Sequence, residues 1–168
     1  MANIVLGIGT NLGDRLQNLH DAVVLLSPEV QVTKFSDVYE TEPWGFSEQP
    51  QFLNQVLLAK TSLEPLALLK YLKHIEASLK REATFRYGPR IIDLDILLYD
   101  DLVMHTDTLT IPHPHMTERA FVMVPLVAIA PDLIHPEKKL SMHEIAQQID
   151  ITGVTLYQPA KKKSRGEE

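Results

Sequence analysis

Two aspartates one residue apart follow directly on a loop with two arginines in the stretch Arg86-Tyr-Gly-Pro-Arg90-Ile-Ile-Asp93-Leu-Asp95-Ile-Leu-Leu-Tyr99. Read as a strand, this stretch puts Ile92, Leu94, Ile96 and Leu98 on one face and both carboxylates on the other, because successive side chains alternate. Hard anionic ligands at that spacing suit Mg²⁺, which takes a few carboxylates and completes its shell with water and phosphate oxygens. Arginines just upstream would grip the same phosphates through planar forks of donors. The implied chemistry is transfer of a phosphoryl-type group. Taken alone, Asp93 and Asp95 also describe a half-buried strand with a solvated acidic face, the commoner setting for such residues. The surrounding residues must decide.

Length and composition bound the possibilities. A chain of 168 residues, 45% of them hydrophobic, supports one domain with a real core and leaves little room for two. The absence of cysteine removes disulfide frameworks and thiolate metal sites and is compatible with a reducing cytosolic setting. The N-terminus lacks a basic start followed by a long apolar run, and no later run approaches the roughly 20 apolar residues that span a bilayer. A cytoplasmic protein without membrane partners is expected. The net charge of −6 argues against a general nucleic-acid surface. Four of the six arginines (Arg81, Arg86, Arg90 and Arg119) nevertheless fall between positions 81 and 119, which fits a small polyanion better than a duplex.

The elements that must position these residues can be read in order. Ile4 to Ile8 reads as a buried strand, followed by a turn built from Gly7, Gly9, Asn11, Gly13 and Asp14 that matches neither a P-loop nor a dinucleotide fingerprint. Leu16, Leu19, Ala22, Val23 and Leu26 mark an amphipathic helix that stops at Ser27-Pro28. Val30 to Tyr39 forms one β-rich run and Phe52 to Thr61 another. Between them lies Glu40-Thr-Glu-Pro-Trp-Gly-Phe-Ser-Glu-Gln-Pro50, a rigid aromatic loop that is either a lid on the core edge or a wall for a flat ligand. Ser62 caps the next helix, with Pro65 in its first turn and an apolar stripe of Leu66, Leu69, Leu72, Ile75 and Leu79. Glu76 reads there as a solvated helical residue. Asp100-Asp101 makes a turn after the acidic strand. His113 and His115 are weak candidates for Zn²⁺, with a proline between them and no third ligand nearby. Val122 to Ile129 reads as a helix despite Pro125, Ser141-Met-His-Glu144 as a capping box opening a short last helix, and residues 159–168 as a disordered charged tail. The single domain spans residues 1–158. The order strand, helix, strand, strand, helix, strand predicts an α+β ferredoxin-like βαββαβ sandwich, mainly antiparallel, with its helices on one face and C-terminal helical additions.

The motif Arg86-x-Gly-Pro-Arg90-x-x-Asp93-Leu-Asp95-Ile-Leu closely resembles the signature of the 6-hydroxymethyl-7,8-dihydropterin pyrophosphokinase family, folate-pathway enzymes that move pyrophosphate from ATP to a pterin. The resemblance extends, in order, through Gly7-x-Gly-x-Asn-Leu-Gly13, Tyr39-x-Thr41-x-Pro43-x-Gly45, Gln49-Pro-x-Phe52-Leu-Asn54, Ile75-Glu76 and Ile111-Pro-His113-Pro-x-Met116-x-x-Arg119-x-Phe121, covering roughly residues 3 to 135.

The resemblance implies that Asp93 and Asp95 hold two Mg²⁺ ions against the phosphates of ATP, the co-substrate, with Arg81 and Arg90 as their catalytic partners. It implies an ATP site of Glu76, Arg81, Arg86, Tyr87, Arg90, Ile96, Thr110, His113 and Arg119. It further implies a pterin pocket of Thr41, Pro43, Trp44, Gly45, Phe52, Asn54 and Phe121, with the ring between the two phenylalanines and its amide edge on Asn54. Small-molecule substrates are the only partners implied, and the expected state is a monomer, with a dimer as the alternative. The chain departs from the family pattern at Lys80, Ala83, Tyr87 and His115 and in an arginine loop one residue short; the metal and pterin positions keep the pattern. A ferredoxin-like sensor of nucleotide or metal without turnover, and a metal-dependent phosphate hydrolase, remain as other readings of the same residues.

Overall fold

The computed structural model describes residues 1–41, 51–79 and 91–158. Seven elements build the frame: β1 (Ala2–Thr10), α1 (Arg15–Leu26), β2 (Val30–Phe35), β3 (Tyr39–Thr41), β4 (Phe52–Thr61), α2 (Pro65–Leu79) and β5 (Asp93–Tyr99). β1 lies at the centre, antiparallel to β4 on one side and to β5 on the other. β2 and β3 both pair antiparallel with β4, one toward each of its ends. This is the ferredoxin-like α+β arrangement. A late strand, β8 (Val154–Leu156), adds to β3 and gives the order β5-β1-β4-β3-β8. Its three residues carry too little pattern to read from sequence.

Two cores sandwich the sheet. Ile4, Leu6, Ile8, Leu53, Leu57, Leu94 and Ile96 face α1 and α2, where they meet Leu19, Leu26, Leu68, Leu72 and Ile75. On the opposite face Val5, Val56, Leu97 and Leu98 pack against α3 (Ala120–Ile129) and α4 (Met142–Ala146) through Val122, Met123, Leu126, Met142 and Ile145. Each fully buried aliphatic side chain contributes about 1.5–3 kcal/mol, so both layers are driven by the same apolar burial. α3 tolerates Pro125 inside it, and Ser141 with Glu144 forms the expected capping box of α4. A small hairpin, β6 (Met104–His105) with β7 (Thr110–Ile111), links β5 to α3. Among the described residues no helix is long and apolar enough to cross a membrane.

Several local expectations are corrected. Gly7 and Gly9 lie inside β1 rather than in a turn, and only Gly13, at φ +70°, serves the turn where Asp14 caps α1. The β-rich run from Val30 splits at Ser36, because the Ser36 hydroxyl accepts the Val56 N–H at 2.9 Å and so replaces a ladder carbonyl. α2 begins at Pro65, which leaves Ser62 outside the cap position. Its buried stripe runs through Leu68, Leu72 and Ile75, while Leu66 is half exposed. The register between β1 and β5 slips beside Leu97, so Val5 faces Leu98 while Leu6 faces Ile96. Leu98 therefore joins Leu97 in the second core instead of sharing a face with Leu94.

Candidate active site

The acidic strand meets two glycines. Asp93 lies opposite Gly9 and Asp95 opposite Gly7, and on the far side of β1 the same glycines face Asn54 and Val56. Along this face the sheet changes character. Val5, Val56 and Leu97 lie under α3 and α4, whereas Gly7, Gly9, Asn54, Asp93 and Asp95 continue beyond the apolar cover. Both carboxylates are half-buried above a floor that carries no side chain on the central strand. Oxygen donors of this kind fit a hard cation such as Mg²⁺. Among the described residues no group of three His, Cys, Asp or Glu side chains surrounds a point.

The bulge at Leu97 has a second effect. Its carbonyl accepts the His113 N–H at 2.9 Å, which draws the His113 loop against the acidic strand. Asp95 and His113 consequently share a cleft of about 240 Å³ with Ile96 and Thr110, also read as site residues from the sequence, and with Leu69 and Lys73 of α2. Leu69 and Lys73 were missed. They occupy the helix face of Glu76, at i and i+3 to i+4 spacing, and projecting that face from Glu76 would have found them.

Burial, the Arg119 guanidinium and the neighbouring His115 together push the His113 pKa down to about 4. Its Nδ1 accepts the backbone N–H of His115 at 3.2 Å. A neutral ring accepting at Nδ1 carries its proton on Nε2, and is thus a hydrogen-bond donor for an anion rather than a base. His115 itself is exposed beside Glu118, at 3.6 Å. Arg119 precedes α3 with its guanidinium carbon 5.6 Å from the centroid of the Phe121 ring, a cation–π contact.

Glu76 is not solvated. It is 3% exposed, and its Oε1 accepts the N–H of Leu94, the residue between the two aspartates, at 3.2 Å and pairs with Lys73 Nζ at 3.3 Å. A buried carboxylate survives there because it is hydrogen-bonded and paired. Its place is beneath the strand, where it pins the peptide that spaces Asp93 from Asp95.

At the far end of the same face Asn54, 7% exposed, donates from Nδ2 to Thr41 Oγ1 at 3.0 Å. Phe52 pairs with Thr41 in the last rung of β3–β4 and shares this face with Asn54. The site thus has an acidic end and an amide-and-aromatic end, two strands apart. Pro43, Trp44, Gly45, Arg81, Arg86, Tyr87 and Arg90, like the tail after residue 158, lie outside the described residues.

Residues 5–131 match the model of the 7,8-dihydro-6-hydroxymethylpterin-pyrophosphokinase (HPPK) family. A 2-amino-4-hydroxy-6-hydroxymethyldihydropteridine pyrophosphokinase of Aquifex aeolicus is 46% identical over 136 residues, covering 81% of this chain and 85% of that protein. The protein of the same name from Bacillus subtilis is 44% identical over 151 residues, covering 88% and 89%. Among solved structures, a Plasmodium falciparum HPPK-DHPS triple mutant superposes with a TM-score of 0.73 at 18% identity, over 88% of this chain and 43% of that one. The last likeness is one of fold.

Proposed function

Because this chain belongs to the 7,8-dihydro-6-hydroxymethylpterin-pyrophosphokinase family, we infer that it transfers the pyrophosphoryl group of ATP to the hydroxymethyl oxygen of 6-hydroxymethyl-7,8-dihydropterin. AMP is released, and the reaction belongs to folate biosynthesis. The observation that carries this reading is the floor of Gly7 and Gly9 with both aspartates at one side and Asn54 at the other. A flat heterocycle lies on such a floor with its polar edge on Asn54 and its hydroxymethyl arm toward the carboxylates.

Asp93 and Asp95 would hold the Mg²⁺ ions, two in this reading. Bound there, the metal supplies charge neutralisation at the phosphates and a more acidic attacking hydroxyl. The chain's own residues do the positioning. His113 donates from Nε2 to a phosphate oxygen and Arg119 adds positive charge, while Leu69, Ile96 and Thr110 line the cleft for the rest of the nucleotide. Phe52 and Phe121 flank the pterin, and Thr41 orients Asn54 through their hydrogen bond. Glu76 acts on the acidic strand from behind. Arg81, Arg86, Tyr87 and Arg90 complete the phosphate contacts, and Pro43, Trp44 and Gly45 the pterin wall, on the resemblance of their motifs. The hydroxymethyl oxygen attacks the β-phosphorus in line, and rate comes from alignment and charge neutralisation rather than from a general base. The protein works as one domain over residues 1–158, as a cytoplasmic monomer whose partners are its small-molecule substrates.

An assay for AMP tests this directly. AMP should appear only when ATP, Mg²⁺ and the hydroxymethyl-dihydropterin are all present. ATP loss without pterin would mark a hydrolase instead, and no turnover with bound nucleotide a sensor module.

A further inference from the structure

Arg15 opens α1 on the side of the sheet away from the aspartates, and the chemistry above makes no use of it. Its Nη1 donates to Glu40 Oε2 at 2.8 Å and to the carbonyl oxygen of Gln51 at 2.7 Å. Its guanidinium carbon lies 5.4 Å from the centroid of the Tyr157 ring. Glu40 and Gln51 immediately precede Thr41 and Phe52, the last pair of the β3–β4 ladder. One guanidinium therefore ties two strand ends together from behind. Tyr157, whose N–H bonds to the Val38 carbonyl at 2.9 Å, brings the end of β8 to the same point.

We propose that Arg15 is a positioning residue for the pterin pocket. It touches no substrate. It holds Thr41 and Phe52 in the register in which the Thr41 hydroxyl receives the Asn54 amide. β3 is three residues long and separated from β2 by the interruption at Ser36, so its ladders to β4 and β8 are short and fray more readily without a further tie. The tie is effective because the Arg15 and Glu40 side chains are only 21% and 24% exposed, which weakens screening, and because a planar fork can serve a carboxylate, a carbonyl and an aromatic face together. A ligand that needs the formed corner loses apparent affinity in proportion to the fraction of molecules in which it is formed.

The inference rests on the pterin assignment of Phe52 and Asn54, and its test separates the two. In Arg15→Ala the pterin KM should rise about tenfold, with kcat and the ATP KM within about twofold of wild type. Amide hydrogen exchange should quicken at residues 39–41 and 52–54 while Leu6 and Leu57 keep their protection. Arg15→Lys retains the charge and a donor but not the planar fork or the stack on Tyr157, and should recover only part of the pterin affinity. Unchanged exchange with an unchanged pterin KM would overturn the role of Arg15 and leave the pterin assignment standing. Faster exchange with an unchanged pterin KM would overturn it by removing the pterin from this corner. Equal losses for both substrates would reduce Arg15 to a general structural tie.

Discussion

A single methyl group placed on the floor of the site makes a sharp test. In Gly9→Ala the new Cβ would stand 2.9 Å from Asn54 Oδ1, inside the 3.4 Å at which ordinary contact begins. The backbone of β1 is held by ladders on both sides, so the Asn54 amide must give way. Swinging Oδ1 aside carries Nδ2 off Thr41, and an unpaired amide at 7% exposure costs about 1–3 kcal/mol. Removing a glycine from a strand interior returns about 0.5–1 kcal/mol, for a net loss of about 0–2.5 kcal/mol. If Asn54 holds the pterin amide edge, the displacement also raises the pterin KM by about 10- to 100-fold and leaves the ATP KM within about twofold. AMP release titrated with each substrate, together with a thermal melt, reads both numbers. Gly7→Ala is the control: the nearest atoms to its Cβ would all be of the Leu97 side chain, at 3.5 to 3.7 Å, so its melting midpoint should hold or rise. A Gly9→Ala protein that melts lower but keeps the wild-type pterin KM would refute the role given to Asn54. One unchanged in both would refute the steric reasoning itself.

Other outcomes follow from the same geometry. Asp95→Ala should lower AMP release by about 100-fold or more while a thermal melt still shows a cooperative folded protein. Glu76→Leu leaves the Leu94 N–H unpaired in the core and should cost about 1–3 kcal/mol, whereas Glu76→Gln keeps an acceptor there and should retain most of that stability in urea unfolding. His113 has a folded pKa of about 4, below its ordinary value of 6.5, so its contribution to stability is present above pH 6.5 and lost as pH falls toward 4. Urea midpoints at pH 7 and pH 5 should therefore drop further for wild type than for His113→Asn, which keeps an acceptor for the His115 N–H but cannot titrate.

The sequence by itself determined the order of the main strands and helices, the limits of α1 and β4, the capping box of α4 and the pairing of Asp93 with Asp95 on one face. All of these are local: a period of two or of 3.6, a cap or a proline stop operates within a few residues. It also carried the family, because its motifs record spacings along the chain. Tertiary structure decided what depends on neighbours distant in sequence. Glu76 reads as a surface residue until β5 lies over it and presents an unpaired N–H. Leu98 reads as a partner of Leu94 until the register against β1 slips at Leu97. Gly7 and Gly9 read as turn residues until β4 and β5 flank them, and then they leave a strip of the sheet bare of side chains between Asn54 and the two aspartates. Arg15 is one charge on a helix until Glu40, Gln51 and Tyr157 gather around it. In each case the side chain's role is set by which backbone group or ring the fold brings within about 3 to 6 Å, a quantity that no local pattern encodes.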